Sequence, residues 1–390
     1  MYPDLSYVLH DLFDTPVDNW TALFKTFGLF LVLAIGTSAW LLYIELRRKA
    51  QEGLFQPERV LTTIGKAATP FDLLSNAIFG FLLGYKILYV FRHMADFQLN
   101  PASLVLSLRG DWVGGILGAL LFSGLRYWES QRRKLPQPVT QVEEVYPHHL
   151  IGDITIIAAV AGIAGAKIFD ILEHFDAFVK NPLPVLFSGS GLAIYGGLIG
   201  GFLAVLVYLR QKKIPPVLVM DAVAPALIVG YGVGRLGCHF SGDGDWGIAA
   251  ATQPTWWFLP DWLWAYDYPR NVINAGVEMS GCAGLFCHHL EPPVYPTPIY
   301  ETLLALAIGA LLWAWRRRMQ TLPGMLFCWY LLLNGLERFW IEKIRINIRY
   351  ETFGIQYTQA ELVATVLMLL GAGGIILVWR RGRLRTSKAV

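Results

Sequence analysis

Charge is what this sequence has least of. Charged side chains make up 16% of its 390 residues, where a soluble domain carries about a quarter. That shortage excludes an ordinary soluble enzyme of this length. Basic and acidic residues nearly balance, at a net +3. The basic ones sit at the ends of apolar runs rather than in one patch, which gives no case for nucleic acid. Met1–Trp20 has no Lys or Arg but does hold Asp4, Asp11, Asp14 and Asp18. A secretory signal peptide needs a basic leading segment, so this stretch does not read as one. The first apolar run reads instead as an uncleaved anchor.

Cysteine is scarce too. Cys238 and Cys328 fall at or within apolar segments and read as packing residues. Cys282 and Cys287 share a polar loop, where an oxidising compartment would let them pair. Sequence alone leaves that disulfide open. His288 and His289 follow them, but no further ligand spacing supports a metal. No metal and no cofactor are expected.

What the chain has in abundance is apolar length. Hydrophobic residues make up 55% of it, in runs that approach the roughly 20 residues a membrane helix needs. The expected fold is an all-α polytopic membrane protein of about nine helices. They cover Leu23–Glu45, Leu73–Phe91, Trp112–Trp128, Leu150–Leu172, Leu192–Leu209, Val217–Leu236, Ile299–Trp315, Met325–Ile341 and Glu361–Trp379. Basic groups follow every second helix: Arg47 to Lys49, Arg132 to Lys134, Lys212 and Lys213, Arg316 to Arg318, and Arg380 onward. The positive-inside rule then puts the C-terminus in the cytoplasm and the N-terminus outside, with the loop 239–298. That loop is rich in tryptophan and tyrosine, residues that favour the headgroup layer.

The chain divides into an outer N-terminus (1–19), N-terminal helices (20–149), a core (150–380) and a basic tail (381–390). Inner loops Arg47–Phe71 and Glu129–His149 read as polar connections, the second a flexible one. Within 73–128 a glycine-lined helix ends at Lys86, and a helix opening Gly114-Gly115 follows an outer turn. The same order recurs with Lys167 and Gly196-Gly197. A duplicated hairpin accounts for this; so does the general use of small residues where membrane helices pack closely.

The costly residues converge at one depth. Arg235 closes the run Val217–Val233 within GYGVGRLGCHFSGDGDWG (Gly230–Gly247). A guanidinium stays protonated in a protein, so its place at a membrane boundary needs a reason. Lys167, Arg338 and Glu342 fall at the outer ends of their helices, and Tyr195 and Glu301 at the outer starts of theirs. Interfacial snorkelling or structural ion pairing explains any one of them. Two arginines and a carboxylate together suit an anionic lipid headgroup, because guanidinium binds phosphate through parallel hydrogen bonds. A calcium reading of the Asp-Gly loop fails, since position twelve from Asp243 is Pro254.

At these residues the sequence resembles the bacterial prolipoprotein diacylglyceryl transferase family. The resemblance lies in Gly234–Gly247, in Tyr195-Gly196-Gly197-Leu198-Ile199-Gly200, in Pro296-Thr297-Pro298-Ile299-Tyr300-Glu301, and in Arg338 with Glu342. It covers roughly Leu150 to Trp379. It implies a seven-helix enzyme of the inner membrane with its site facing the outer leaflet. Such enzymes move the diacylglyceryl group of phosphatidylglycerol onto a lipobox cysteine thiol of a prolipoprotein and release glycerol phosphate. Three departures stand out. Tyr195 replaces a frequent His, Cys238 a frequent Asn, and Ser241–Asp245 an Asn-Gly-Glu segment.

The expected catalytic residues are Arg235, Arg338, Tyr195, Glu301 and Glu342. The arginines would clamp the phosphodiester, a glutamate would orient them, and Tyr195 would bond the headgroup or relay a proton. Arg235, Gly196, Gly197, Asp243, Asp245 and Lys167 are expected to line the substrate site. The general base stays unassigned. The alternatives are a lipid or anion transporter, to which duplicated hairpins and intramembrane arginines also belong, and a catalytically degenerate lipid-binding protein.

Overall fold

Helix-forming runs dominate the computed structural model, which describes residues 1–99, 101–186, 193–282, 284–352 and 354–387. The chain opens with α1 (Leu5–Phe13) and α2 (Thr26–Gln51) and continues through β1 (Glu58–Ile64). Next come α3 (Pro70–Arg92), the short α4 (Met94–Leu99) and α5 (Pro101–Leu106), and α6 (Trp112–Arg133). The order then repeats with β2 (Val139–Val145), α7 (Ile151–Glu173), short α8 (Phe175–Lys180) and α9 (Pro182–Leu186), and α10 (Ile194–Gln211). After α11 (Pro216–Ser241) comes a long loop with the short strands β3 (Val277–Glu278) and β4 (His288–His289). The chain ends with α12 (Thr297–Trp315), α13 (Met325–Glu342), the hairpin β5 (Arg349–Thr352) and β6 (Ile355–Thr358), and α14 (Gln359–Ser387).

Among the described residues, nine long helices overlap the nine segments expected from the apolar runs. The start of the fifth expected segment, Leu192, and tail residues 388–390 lie outside the described residues. Among the described residues, seven helices are long and apolar enough to cross a membrane. α6 and α13 are not among those seven. Both carry several charged residues, and in α13 they are Glu337, Arg338 and Glu342. Apolar side chains such as Ile78, Phe79 and Leu82 on α3, and Leu369, Leu370 and Leu377 on α14, are exposed on the protein surface. Patches of that kind need a lipid or protein neighbour.

Two compact units form. One is Lys49–Ile214, inserted into the other, Met1–Arg48 with Pro215–Val390. The inserted unit is built from the repeated order of strand, long helix, two short helices and long helix. The two polar loops expected as irregular connections do not stay irregular. Thr- and Val-containing stretches pair as β1 and β2, antiparallel from Glu58 opposite Val145 to Ile64 opposite Val139. β-Branched residues favour that pairing.

Glycine sets the helix spacing inside both hairpins of this unit. A Cβ on Gly84 would lie 2.1 Å from the Gly114 carbonyl oxygen, and one on Gly80 2.3 Å from that of Gly118. In the second hairpin, a Cβ on Gly165 would lie 2.4 Å from the Gly196 oxygen. Small residues allow backbones to approach this closely, which is what drives association in lipid. Lys86 reaches back from α3 to the carbonyls of Leu104 and Arg109 at 3.3 and 2.7 Å, and to that of Ser107. It therefore satisfies the C-terminal end of α5.

The other unit is centred on α11. Ile228, Ala305, Leu312 and Leu326 form a buried core from α11, α12 and α13. Asp221 accepts from the backbone amides of Gly324 and Phe327 at 2.6 and 3.0 Å, capping the start of α13. α14 meets α13 where Gly335 faces Ala364 and Gly371 faces Cys328. The loop after α11 is a built structure. Trp246 lies against Tyr268, Trp257 against Trp264, and Cys282 is bonded to Cys287.

The glycine contacts set a stability test. Gly84→Val should lose about 1–3 kcal/mol through overpacking. Gly124→Ala, where nothing lies within 4 Å, should leave stability unchanged or raise it by up to about 1 kcal/mol. Thermal unfolding in detergent checks both, and equal behaviour of the two variants would contradict the close approach.

Candidate active site

Three segments bring their charged residues onto one carboxylate. α11 carries Arg235 and ends at Gly242, whose φ of +65° is the left-handed conformation that suits glycine. The chain then doubles back, so that Asp245 faces the arginine it follows. Asp245 is held by its own amide on Asp243 at 3.2 Å and by Thr297, whose hydroxyl donates to its carbonyl at 2.9 Å. α12 opens with Thr297-Pro298, proline being welcome in a first helical turn, and places Glu301 one turn in, with no exposure to solvent. α13 supplies Arg338 and Glu342. The strand-like segment after it pairs Arg345 with Gly247, and the amide of Ile248 donates to Ile344 at 2.8 Å.

Glu301 is the hub. Arg235 donates from Nη2 to its Oε1 at 2.9 Å and lies 2.5 Å from Oε2 through Nε. Arg338 and Arg345 each donate from Nη1 to the same Oε1, at 3.0 and 3.1 Å. Asp245 bridges a second pair, accepting from Arg235 Nη1 and from Arg345 Nη2, the latter at 2.6 Å. Glu342 pairs with Arg338 at 3.1 Å and accepts from Asn347 at 2.6 Å. Three guanidiniums are thus matched by three carboxylates, as buried charge requires.

Exposure is uneven across this network. The side chains of Arg345 and Arg235 are 7% and 11% exposed, that of Arg338 is 25% and that of Asp245 38%. The cluster opens at Arg338 and Asp245. A separate cavity is bordered by Met1, Tyr2, His239, Tyr266, Arg270 and Ile299, and none of the cluster's charged residues lines it. His239 lies one turn beyond Arg235 on α11, and Ile299 two residues before Glu301.

The two loop aspartates titrate oppositely. Burial pushes the Asp243 carboxyl above its ordinary value, and the neighbouring Asp245 charge adds to it. Burial acts on Asp245 in the same sense, but Arg235 and Arg345 outweigh it and hold that carboxyl below its ordinary value. For Arg345, burial favours the neutral form, yet Glu301 and Asp245 hold it more firmly protonated than usual.

Cys238, Asp243 and Asp245 present ligand atoms within 4.8 Å of one another, a spacing that admits a cation. Arg235 Nη1 already lies 3.4 Å from the Cys238 sulfur and bonds Asp245. The guanidinium thus bonds two of the three. The sulfurs of Cys282 and Cys287 are joined to each other, so neither is a thiolate ligand beside His288 and His289.

Of the residues expected from sequence, Arg235, Arg338, Glu301, Glu342, Asp243 and Asp245 share this unit. Asp245 is engaged with two arginines and is partly exposed. Tyr195, Gly196, Gly197 and Lys167 belong to the inserted unit. There Lys167 pairs with Asp170 at 3.3 Å, and Gly196 and Gly197 lie against Gly165 and Gly162 of α7. Two residues absent from the expected set stand out. Arg345 had one sequence signal, a basic residue in a loop that the positive-inside rule assigns to the outside. Glu337 had none beyond its neighbour Arg338.

The chain can now be set beside known proteins. A family model described as prolipoprotein diacylglyceryl transferase matches residues 116–379. A phosphatidylglycerol–prolipoprotein diacylglyceryl transferase of Staphylococcus xylosus is 26% identical over 295 residues, covering 75% of this chain and 91% of that protein. Proteins of the same name from Corynebacterium efficiens and Leptospira interrogans are 32% and 28% identical. They align over 61% and 72% of this chain, and over 70% and 94% of their own.

The network makes two predictions. Glu301→Gln removes the shared partner of three guanidiniums and should cost about 3–5 kcal/mol, read as a lowered unfolding temperature in detergent. Asp245 has a depressed carboxyl, so its ionised form stabilises the fold above its unfolded value of about 3.9. That contribution is lost as pH falls through the lower folded value. The stability gap between the unmodified protein and Asp245→Asn should therefore be full near neutrality and shrink below about pH 4; a gap that holds constant in acid contradicts the pairing.

Proposed function

The chain belongs to the prolipoprotein diacylglyceryl transferase family, and from that premise we propose how its charged cluster carries out the reaction. The protein is a multi-pass enzyme of the bacterial inner membrane. It moves the diacylglyceryl group of phosphatidylglycerol onto a prolipoprotein, at the lipobox cysteine thiol, and releases glycerol phosphate. The observation that carries the mechanism is the convergence of Arg235, Arg338 and Arg345 on Glu301.

The phosphodiester binds where the cluster is open. Arg338 spends one Nη1 bond on Glu301 and one Nη2 contact on Glu342, and a guanidinium has five donors. Its remaining N–H groups donate to a phosphate oxygen. Asp245 holds the edges of Arg235 and Arg345 and is itself partly exposed. A phosphate carries the same charge and geometry, so the headgroup takes over those donors as Asp245 moves aside. Glu301 keeps the three arginines in register throughout, so their positive charge needs no reorganisation as charge builds on the leaving phosphate.

The thiol sulfur attacks the glycerol carbon that bears the phosphate ester. A C–S bond forms, the C–O bond breaks, and both electrons of the latter leave with glycerol phosphate. Cationic surroundings favour the thiolate, which is the nucleophilic form.

The site faces the outer leaflet in this proposal. The Cys282–Cys287 disulfide lies in the loop that carries Asp243 and Asp245, and disulfides persist in oxidising compartments. Trp256 and Phe258 of that loop are exposed, as suits residues at a headgroup layer.

Reconstitution with phosphatidylglycerol vesicles and a lipobox peptide tests the reading: the peptide gains the mass of one diacylglyceryl unit. Arg338→Lys should fold normally and lose about 10²-fold or more in rate, since one point charge replaces a planar fork. Unmodified rates in that variant would rule out the clamp.

A further inference from the structure

One carboxyl group in the cluster has no use in the scheme above. Glu337 is 5% exposed. Neither of its carboxyl oxygens has a hydrogen-bond partner among the described residues. Glu301, Asp245 and Glu342 each hold at least one guanidinium, and Asp243 accepts its own loop's amide. Among the described residues, Glu337 has no hydrogen-bond donor and no cation at ion-pair distance.

Buried polar groups are nearly always satisfied, and each exception calls for a reason. A structural carboxylate would have been given donors, because an unpaired buried charge is costly. Glu337 nonetheless lies within electrostatic reach of Arg235, Glu301, Arg338 and Arg345, and of the Tyr231 hydroxyl. It therefore belongs to the cluster without being fixed by it. The difference matters for proton transfer. The carboxyl group of Glu301 is held by three guanidiniums, whereas that of Glu337 is held by no hydrogen-bond donor among the described residues.

We infer that Glu337 is the proton carrier of the transfer, taking the proton from the substrate thiol and passing it to the departing phosphate oxygen. The assignment rests on the transferase reading. The step balances within the two substrates. The S–H bond breaks as the carboxylate gains the proton, and the thiolate displaces phosphate at carbon. The carboxylic acid then protonates the glycerol phosphate and returns to its starting state. No metal, oxidant or further reactant enters. The groups that face Glu337 are Tyr231 and Arg235 on α11, Glu301 on α12, Arg338 on its own helix and Arg345 after it. On α14, packed along α13, Glu361 is paired with Lys343 at 2.6 Å.

The test uses full-length protein in phosphatidylglycerol vesicles, with lipobox peptides that carry either cysteine or selenocysteine. A selenol is ionised near neutrality and needs no base. Glu337→Gln should lower kcat for the thiol peptide about 10²–10⁴-fold while the KM for phosphatidylglycerol stays within about twofold. It should also lose the acidic limb of the kcat–pH profile. With the selenol peptide most of the rate should return, which a merely structural defect would not allow. Glu337→Asp should keep the acidic limb at reduced rate. Equal activity of Glu337→Gln and the unmodified protein overturns the assignment. So does a raised KM with an unchanged pH profile, which would make Glu337 a headgroup ligand. Should Glu337→Gln fail to fold, the unmodified protein decides: an acidic limb with thiol that vanishes with selenol supports the assignment, and one that is identical with both overturns it. An unmodified protein that transfers nothing to either peptide would instead overturn the transferase reading itself.

Discussion

A carboxylate with no access to solvent, shared by three guanidiniums, is the constraint on which the charged cluster depends. Three arginines from separate segments would repel one another and pay a large desolvation cost if left alone. Glu301 makes their meeting possible. It can do so because Pro296 and Pro298 lead stiffly into α12, and because the left-handed turn at Gly242 returns Asp245 toward Arg235. The glycine loop, the proline entry and the charged end of α13 are thus three solutions to one electrostatic problem.

The two shared carboxylates of the cluster differ in depth. Asp245 lies in a loop and is more exposed than the arginines it holds, so in the proposed reaction it is the one that would give way to the phosphate. Glu301 has no exposure to solvent and is the proposed fixed partner.

The inserted unit solves a different problem with different chemistry. In lipid there is little hydrophobic drive between helices, so close backbone contact through glycine takes over. Gly80 and Gly84 meet Gly118 and Gly114, and Gly165 meets Gly196, in hairpins that repeat one order of elements. Lysine recurs two residues after the close contact in both, as Lys86 and Lys167. The order of strand, long helix, turn helices and long helix recurs in both halves of this unit.

Membrane class and the positions of the long helices were determined by the sequence itself, since apolar run length follows from bilayer thickness and needs no tertiary knowledge. Arg235, Glu301 and Arg338 were legible as candidates for a similar reason: charge at the end of an apolar run is costly wherever the chain goes. The pairing of Cys282 with Cys287, and of two inner loops as β1 and β2, was decided by tertiary structure, because each depends on distance rather than composition. So was the identity of the third arginine. Arg345 resembles its neighbours Lys343 and Arg349 in sequence, and only the bridge to Gly247 selects it. Glu337 is the extreme case. A glutamate beside an arginine looks paired on paper, and only the fold turns Arg338 toward Glu301 and Glu342 and leaves Glu337 without a partner.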